Sequence, residues 1–311
     1  MDCAYGKQTA VIRVRDWEEA RRIGISMKRW LFRGQANTEW TLKSSLERAF
    51  ESRGIPTART GPIEEMMLME FRSLAHLFAA SLPSEEDIIA WLTLIRHHGG
   101  PTRLLDFTES FYVATYFALD SAIEECAIWA FNRIDQMSKV MDLVDGLCGL
   151  LRIDKHVSVG EKFDQILIKA IQGDVHENHI LIMSPSQRNE RQFLQQALAM
   201  IPLNLQEGFM GTLLRSFEPP GEMPTEDSFV EVEFDELQRV IRDSKLVKLV
   251  IAKDAFLDAR LDLEQMNING ATLFRGLDGL GRKVQDVLNS VESYLRERDG
   301  VGTLVQSEHI L

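Results

Sequence analysis

The spacing of apolar and polar residues along the chain predicts short strands mixed with amphipathic helices. Strand-like segments, in which apolar residues alternate or run together, are WLFRGQ, RLLD, CAIWAFN, NHILIMS, SFVEVEF and VKLVIAK. Helix-like segments between them include DWEEARRIGISMKR, SEEDIIAWLTLIRHH, FYVATYFALDSAI, DELQRVIRDSK and GRKVQDVLNSVESYLRER. Because helices and strands do not alternate in a clean βαβ order, the pattern favours an α+β fold with a mixed sheet of short strands surrounded by helices.

Capping residues predict where several helices begin and end. Asp16 precedes the first helix, and SSLE at residues 44–47 has the form of a capping box. Ser84 is predicted to cap the helix that stops at the two glycines after His98, and His98 falls on its apolar face. Residues 133–177 read as helical turns with loops, and the stretch from 187 to 210 stays ambiguous.

The tetrapeptide LFRG occurs twice, at residues 31–34 and 273–276. Strand alternation in WLFRGQ places Phe32 on one face and Arg33 and Gln35 together on the other. Arg275 lies beside Asp278 in the second copy, where a surface ion pair of little energetic weight is the simpler interpretation. The first copy is therefore the one expected to carry chemistry.

Charge and cysteine content narrow the class of protein. The formal net charge of −12 argues against a general binder of nucleic acid or acidic membranes, although a local basic cleft remains compatible with it. The three cysteines are scattered without a CxxC motif, which favours a reducing compartment. Neither a signal core nor an apolar run of membrane-spanning length is seen, so we expect a cytoplasmic protein without membrane association.

The segment HHGGPTRLLDFTESFYVATYFAL, residues 97–119, gathers most of the candidate polar chemistry at a junction between two helices. Ordinary structural roles explain much of it. The glycines would end one helix, Ser110 would cap the next, and Asp106 would be a structural partner of Arg103. On an extended RLLD segment, however, Arg103 and Asp106 point to opposite faces and cannot line one cleft. Walker, GxGxxG and GxSxG motifs are absent from the sequence, so any phosphate contact has to come from arginines and backbone amides.

The pair His176 and His179 has the spacing of two metal ligands on a helix. A third nearby ligand with convincing geometry is missing from the sequence around them. No metal site is therefore predicted.

Four motifs in order resemble the FRG domain, a bacterial and phage-associated family named after its Phe-Arg-Gly. They are FRGQ, W-x-L-x-x-S-L-x-R, H-x-G-x-P-T-R-L-L-D-x-T-x-S and A-x-Y-F-A. The resemblance implies an FRG domain over residues 27–290, preceded by an N-terminal helix and extension at 1–26 and followed by a helix end and tail at 291–311. Residues 133–177 would then be a helical insertion.

The order FRG, FTES, ATYFA and a glutamine-rich stretch is also similar to the ADP-ribosyltransferases. This similarity implies an ADP-ribosyltransferase-like core, NAD as the cofactor and a macromolecular target in toxin action or phage defence. It implies that Arg33 and Gln195 are catalytic, with Gln195 at the position of an expected glutamate. The residues that it implies for cofactor binding are Arg33, Gly34, Gln35, His97, Thr102, Arg103, Asp106, Thr108 and Ser110.

Three functional hypotheses follow. The chain is an NAD-dependent transferase, or it is a module that senses a nucleotide or a partner without turnover. In the third hypothesis it is a structural interaction protein in which an Arg33–Asp106 pair satisfies the polar interior.

Overall fold

The computed structural model describes residues 8–154, 156–183, 190–217, 220–223, 234–289 and 291. The strands are β1 (Thr9–Arg13), β2 (Leu31–Gln35), β3 (Leu105–Thr108), β4 (Glu125–Phe131), β5 (Ile180–Met183), β6 (Ala197–Pro202) and β7 (Leu246–Ala252). The helices up to residue 172 are α1 (Trp17–Ser26), α2 (Ser45–Glu51), α3 (Thr60–Ala75), α4 (Ile88–His97), α5 (Phe111–Leu119), α6 (Ile134–Leu151) and α7 (Val159–Gln172). The later helices are α8 (Glu190–Leu194), α9 (Gly208–Arg215), α10 (Phe234–Asp243), α11 (Phe256–Gln265) and α12 (Gly270–Leu273), followed by a helical stretch at 276–289.

Within the described ranges, seven strands form one mixed sheet in the order β1-β7-β4-β2-β3-β6-β5. β1 runs parallel to β7, and the other neighbouring strands are antiparallel. The α+β prediction is confirmed. β1, with the sequence TAVIR, was not among the predicted strands, although its apolar run is no shorter than RLLD.

Two groups of helices cover one face of the sheet and leave a space between them. Residues opposite each other in antiparallel strands share a face, which puts Phe32 on the same side as Thr108, and Asp106 on the same side as Ala199. On this side α1, α5 and α11 pack over β1, β7, β4 and β2, while α3, α4, α6 and α7 pack over β5 and β6. α9 covers the opposite face.

Most predicted helix boundaries agree with the structure. Asp16 caps α1 by accepting a hydrogen bond from the backbone N–H of Glu19, and Ser44 and Glu47 form the predicted capping box. The prediction of helices in residues 133–177 is confirmed by α6 and α7. The predicted strand SFVEVEF lies outside the described residues except for its last residue, which begins α10.

Two predictions at α4 were wrong. Its N-cap is Asp87, whose carboxylate accepts from the backbone N–H of Ala90, and not Ser84. The acidic side chain directly precedes the apolar run, so it is the one in reach of the free N–H groups. His98 is exposed and not on the buried face, because it follows the last turn of the helix and the chain turns away at Gly99.

Gly34 allows the backbone of α5 to lie directly on β2. A Cβ atom built at this position would lie 2.0 Å from the carbonyl oxygen of Ala114 and 2.4 Å from the backbone nitrogen of Ala118. Both obstacles are backbone atoms, so a rotamer change cannot relieve the clash. The glycine is therefore required by packing, and it sets the distance between helix and strand.

Arg103 and Glu64 form an ion pair in the interior. The guanidinium Nη2 lies 2.6 Å from Glu64 Oε2, and each side chain is only 2% exposed. Arg103 Nη1 also donates to the carbonyl oxygen of Pro202 at 2.9 Å. The pair thereby ties α3 to the segment before β3 and to the end of β6.

We expect Gly34→Ala to lower the free energy of unfolding by about 3 kcal/mol, because the added methyl group forces α5 away from β2. Gly146→Ala is the matched control, since a Cβ at Gly146 in α6 meets no atom within 4 Å. That variant should gain about 0.5–1 kcal/mol from helix propensity. Urea denaturation checks both, and equal stability of the two variants would contradict the packing argument.

Arg103→Met should cost roughly 3–5 kcal/mol, because it leaves the Glu64 carboxylate buried without its counter-charge. The double variant Arg103→Met/Glu64→Leu removes both charges and should recover much of this loss. Urea denaturation of the single and double variants measures the difference. A double variant no more stable than Arg103→Met would show that the charge pairing is not the cause.

Candidate functional site

A cleft opens where β2 and β3 separate. β2 pairs with β4 along its whole length from Leu31 to Gln35, but with β3 only at Phe32 and Thr108. Beyond that pair the guanidinium of Arg33 spans the gap, and its Nη1 donates to the backbone carbonyl oxygen of Asp106 at 2.7 Å. The cavity at this gap has a volume of about 820 Å³, within the range of small-molecule and cofactor sites.

Basic residues outnumber acidic ones in the walls of this cleft although the whole chain is acidic. Five basic and three acidic residues line it, namely Arg33, Lys43, Arg48, Arg96 and Arg191 with Glu39, Glu51 and Asp106. Two of the acids are neutralised locally, because Glu51 pairs with Lys43 at 2.8 Å and Asp106 pairs with Arg96. Within the described part of the chain, Arg33, Arg48 and Arg191 make no ion pair, so an excess of positive charge remains.

Burial and mutual repulsion act on these guanidinium groups. Burial, together with the nearby charges of Arg96 and Arg48, lowers the pKa of Arg33 to about 10 against the opposing effect of Asp106. Burial also lowers the pKa of Arg48 and of Arg191, and Arg96 again contributes. All of them stay protonated at neutral pH, and the Arg33 Nε is buried without a hydrogen-bond partner. The arrangement is electrostatically unfavourable, and a bound anion would relieve it.

The structure brings six of the predicted site residues together in the cleft. They are Arg33, Gly34, Gln35, Asp106, Thr108 and Gln195. The predicted separation of Arg103 from Asp106 is confirmed, since Asp106 lines the cleft and Arg103 does not.

The remaining four predicted residues lie outside the cleft walls, each for a physical reason. Arg103 is held by Glu64, and the backbone N–H of Thr102 donates to Ser45 Oγ in the interior. Ser110 caps α5, its Oγ accepting from the N–H of Val113. His97 is largely exposed at the end of α4 beside His98, and the partial burial of its ring and the charge of Arg191 lower its pKa.

Gln195 and Thr108 hold the cleft wall formed by β3 and β6. Thr108 Oγ1 donates to the backbone carbonyl oxygen of Gln195 at 2.7 Å and accepts from the N–H of Ser110 at 3.0 Å. The side-chain amide of Gln195 donates to the carbonyl oxygen of Leu273 at 3.1 Å. Its nitrogen is thus already engaged with the protein.

Phe274 of the second LFRG packs against two residues that line the cleft, Arg191 and Phe117. The Arg191 guanidinium lies 4.5 Å from the ring centre of Phe274, and Phe117 in the cleft packs edge-on against the same ring. Arg275 is a surface residue, as predicted, but it pairs with Glu190 at 2.7 Å and not with Asp278. The short helix α8 lies close by in space, which the sequence could not show.

The third hypothesis required a direct Arg33–Asp106 ion pair, which the structure replaces with two separate contacts. Arg33 bonds the backbone carbonyl of Asp106, whereas the carboxylate of Asp106 pairs with Arg96. Arg33 and Asp106 lie on adjacent strands that diverge. The Arg33 side chain therefore crosses the gap and meets the backbone edge of β3 and not the Asp106 carboxylate.

Sequence reasoning missed several cleft residues, among them Arg48, Trp40, Arg191 and Arg96. Trp40 and Arg48 are the first and last residues of the motif W-x-L-x-x-S-L-x-R. Their place in this motif was the only sign in the sequence that they belong to the site. Arg191 and Arg96 belong to none of the four motifs. Their convergence depends on α2, α4 and α8 meeting at one gap.

A metal-binding cluster and a membrane-spanning helix are both absent from the described ranges. There, His, Cys, Asp and Glu residues do not group in threes that could hold a metal ion. The helices described in the structure lack the combined length and hydrophobicity needed to cross a bilayer.

Comparison with known proteins identifies the region that supplies much of the cleft. Neither a curated protein nor a solved structure shows significant similarity to the chain. Residues 28–126 match the model of the FRG domain, and this range includes β2, β3, α2, α4 and α5. The extension of the domain to residue 290 stays a prediction. The chain therefore carries an FRG domain, matched over residues 28–126.

Proposed function

We propose that the cleft binds NAD or a closely related dinucleotide through its arginines. The observation that carries this proposal is that Arg33, Arg48 and Arg191 face one cavity without an ion-pair partner in the described ranges. Guanidinium groups bind phosphate oxygens with charge-assisted, often bidentate hydrogen bonds. A diphosphate would supply the negative charge that the cluster lacks.

The shape of the cleft supports a ligand larger than a single phosphate. The cavity of about 820 Å³ extends from the arginines to Thr108 and to the loop after β2. Thr108 is mostly buried and its hydroxyl group bonds to Gln195, so it contributes a shaped wall beside the arginines.

A purely structural role for Arg33 is less well supported than one for Arg103. Arg33 is half-buried, makes a hydrogen bond to one carbonyl group and is repelled by its neighbours. Arg103 by contrast is sealed inside with a carboxylate partner. We therefore assign Arg33 to ligand binding and Arg103 to the stability of the fold.

Arg33→Met and Arg191→Met should each weaken NAD binding by about 10-fold or more, because each removes a charge-assisted phosphate contact. Their urea midpoints should stay near that of the wild type, since the loss of a repelled cation costs little. Isothermal titration at two salt concentrations gives the affinities, and higher salt should weaken binding. Arg275→Met, which changes the other LFRG, is the control and should bind as the wild type does. Equal affinities of all four proteins, or lack of NAD binding, would contradict the proposal.

A second candidate function is cleavage of NAD with transfer of ADP-ribose. Glu39 favours it, because this exposed carboxylate lines the cleft and makes no ion pair within the ranges that the structure describes. In the reaction the bond between ribose C1′ and the nicotinamide nitrogen breaks, and nicotinamide leaves with the electron pair. A nucleophile on a macromolecule then bonds to C1′ and loses its proton. A carboxylate stabilises the positive charge that develops on the ribosyl centre.

Under this second candidate, Glu39→Gln should reduce nicotinamide release by about 100-fold with little change in NAD affinity, since only the transition state carries the extra charge. Chromatographic detection of free nicotinamide measures it. Glu51→Gln is the matched control, because Glu51 also lines the cleft but pairs with Lys43. A wild-type protein that binds NAD without releasing nicotinamide would rule out transfer and leave binding intact.

A further inference from the structure

Trp40 is unlike the other tryptophans of the chain. Its side chain is 53% exposed, whereas Trp17, Trp30, Trp91 and Trp129 are each exposed by 5% or less. It lines the same cleft as the arginines. Keeping so large an apolar surface in water forgoes the free energy of burial, which is typical of aromatic residues that contact a ligand.

The loop that carries Trp40 is anchored from below. Gln35 accepts a hydrogen bond from the indole N–H of Trp129 at 2.7 Å and donates to the carbonyl oxygen of Thr41 at 3.2 Å. Lys248 donates to the carbonyl oxygen of Thr38 and lies 5.0 Å over the Trp129 ring. The backbone on both sides of Trp40 is thus fixed before any ligand arrives, which reduces the entropy lost on binding.

We infer that Trp40 is the stacking platform for the nucleobase of the ligand and that Gln35 positions its loop. This inference rests on the proposed function, because it needs a phosphate-bearing ligand held by the arginines. A flat aromatic surface next to several guanidinium groups fits a molecule with an aromatic base at one end and phosphates at the other. Simple anions and sugar phosphates would use the arginines and leave the indole unoccupied.

A free nucleotide fits better than a single-stranded nucleic acid. A strand extends beyond any one cleft, and its further phosphates would meet the rest of an acidic chain with a formal net charge of −12. The positive charge is local to the cleft, as the binding of a small anion requires.

Titration of Trp40→Ala and Trp40→Phe with NAD and with inorganic diphosphate tests the assignment. Trp40→Ala should weaken NAD binding by about tenfold, because stacking on one base is lost. Trp40→Phe keeps an aromatic ring and should lose less. Diphosphate should bind both variants as it binds the wild type, since it contacts only the arginines.

Intrinsic fluorescence gives an independent readout. Since Trp40 is far more exposed than the other tryptophans, acrylamide should quench mainly its emission, and saturating NAD should protect it. Trp40→Phe should abolish this protection while leaving the emission of the buried tryptophans.

The outcomes separate this inference from the proposed function. If NAD binds in an Arg33-dependent way but Trp40→Ala has wild-type affinity, stacking is overturned and the proposed function stands. If the wild-type protein binds diphosphate but not NAD, both are overturned. Tighter binding of a short oligothymidine than of NAD, dependent on Trp40, would overturn the assignment to a free nucleotide.

Discussion

The close approach of α5 to Gly34 is the constraint on which the rest of the site depends. The carbonyl oxygen of Ala114 occupies the space of a side chain at this position. α5 is thereby held flat on β2, and its first turn, capped by Ser110, begins directly after β3. Because the helix lies this close to β2, it forms one wall of the cleft, through Ala114 and Phe117.

The four residues of FRGQ each have a separate physical role. Phe32 packs into the core between α1, α5 and the sheet, and Gly34 admits α5. Arg33 spans the gap between β2 and β3, and Gln35 anchors the loop that follows. Three of the four residues thus serve packing or the positioning of the backbone, and only the guanidinium group of Arg33 is placed to contact a ligand.

Two arginine environments show how one residue type serves stability or binding. Arg103 is buried with a carboxylate partner and with backbone carbonyls to accept its other N–H groups. The cleft arginines are gathered without enough opposing charge, so their mutual repulsion has to be offset by packing elsewhere, including the Phe274 ring beneath Arg191. Unfavourable electrostatics of this kind is common at functional sites because a ligand can reverse it.

The sequence by itself determined the α+β class, the helix caps Asp16, Ser44 and Ser110, the strand alternation at FRGQ and the separation of Arg103 from Asp106. These features depend on residues near each other along the chain, where periodicity and capping chemistry act. Only the tertiary structure decided that β2 and β3 diverge, that Arg48, Arg96 and Arg191 converge on Arg33, and that Glu190 is the partner of Arg275. It also decided that Thr102 serves the interior and not the cleft. These contacts join segments far apart in the chain. The spacing of residues within one segment does not indicate which other segments the folded sheet brings next to it.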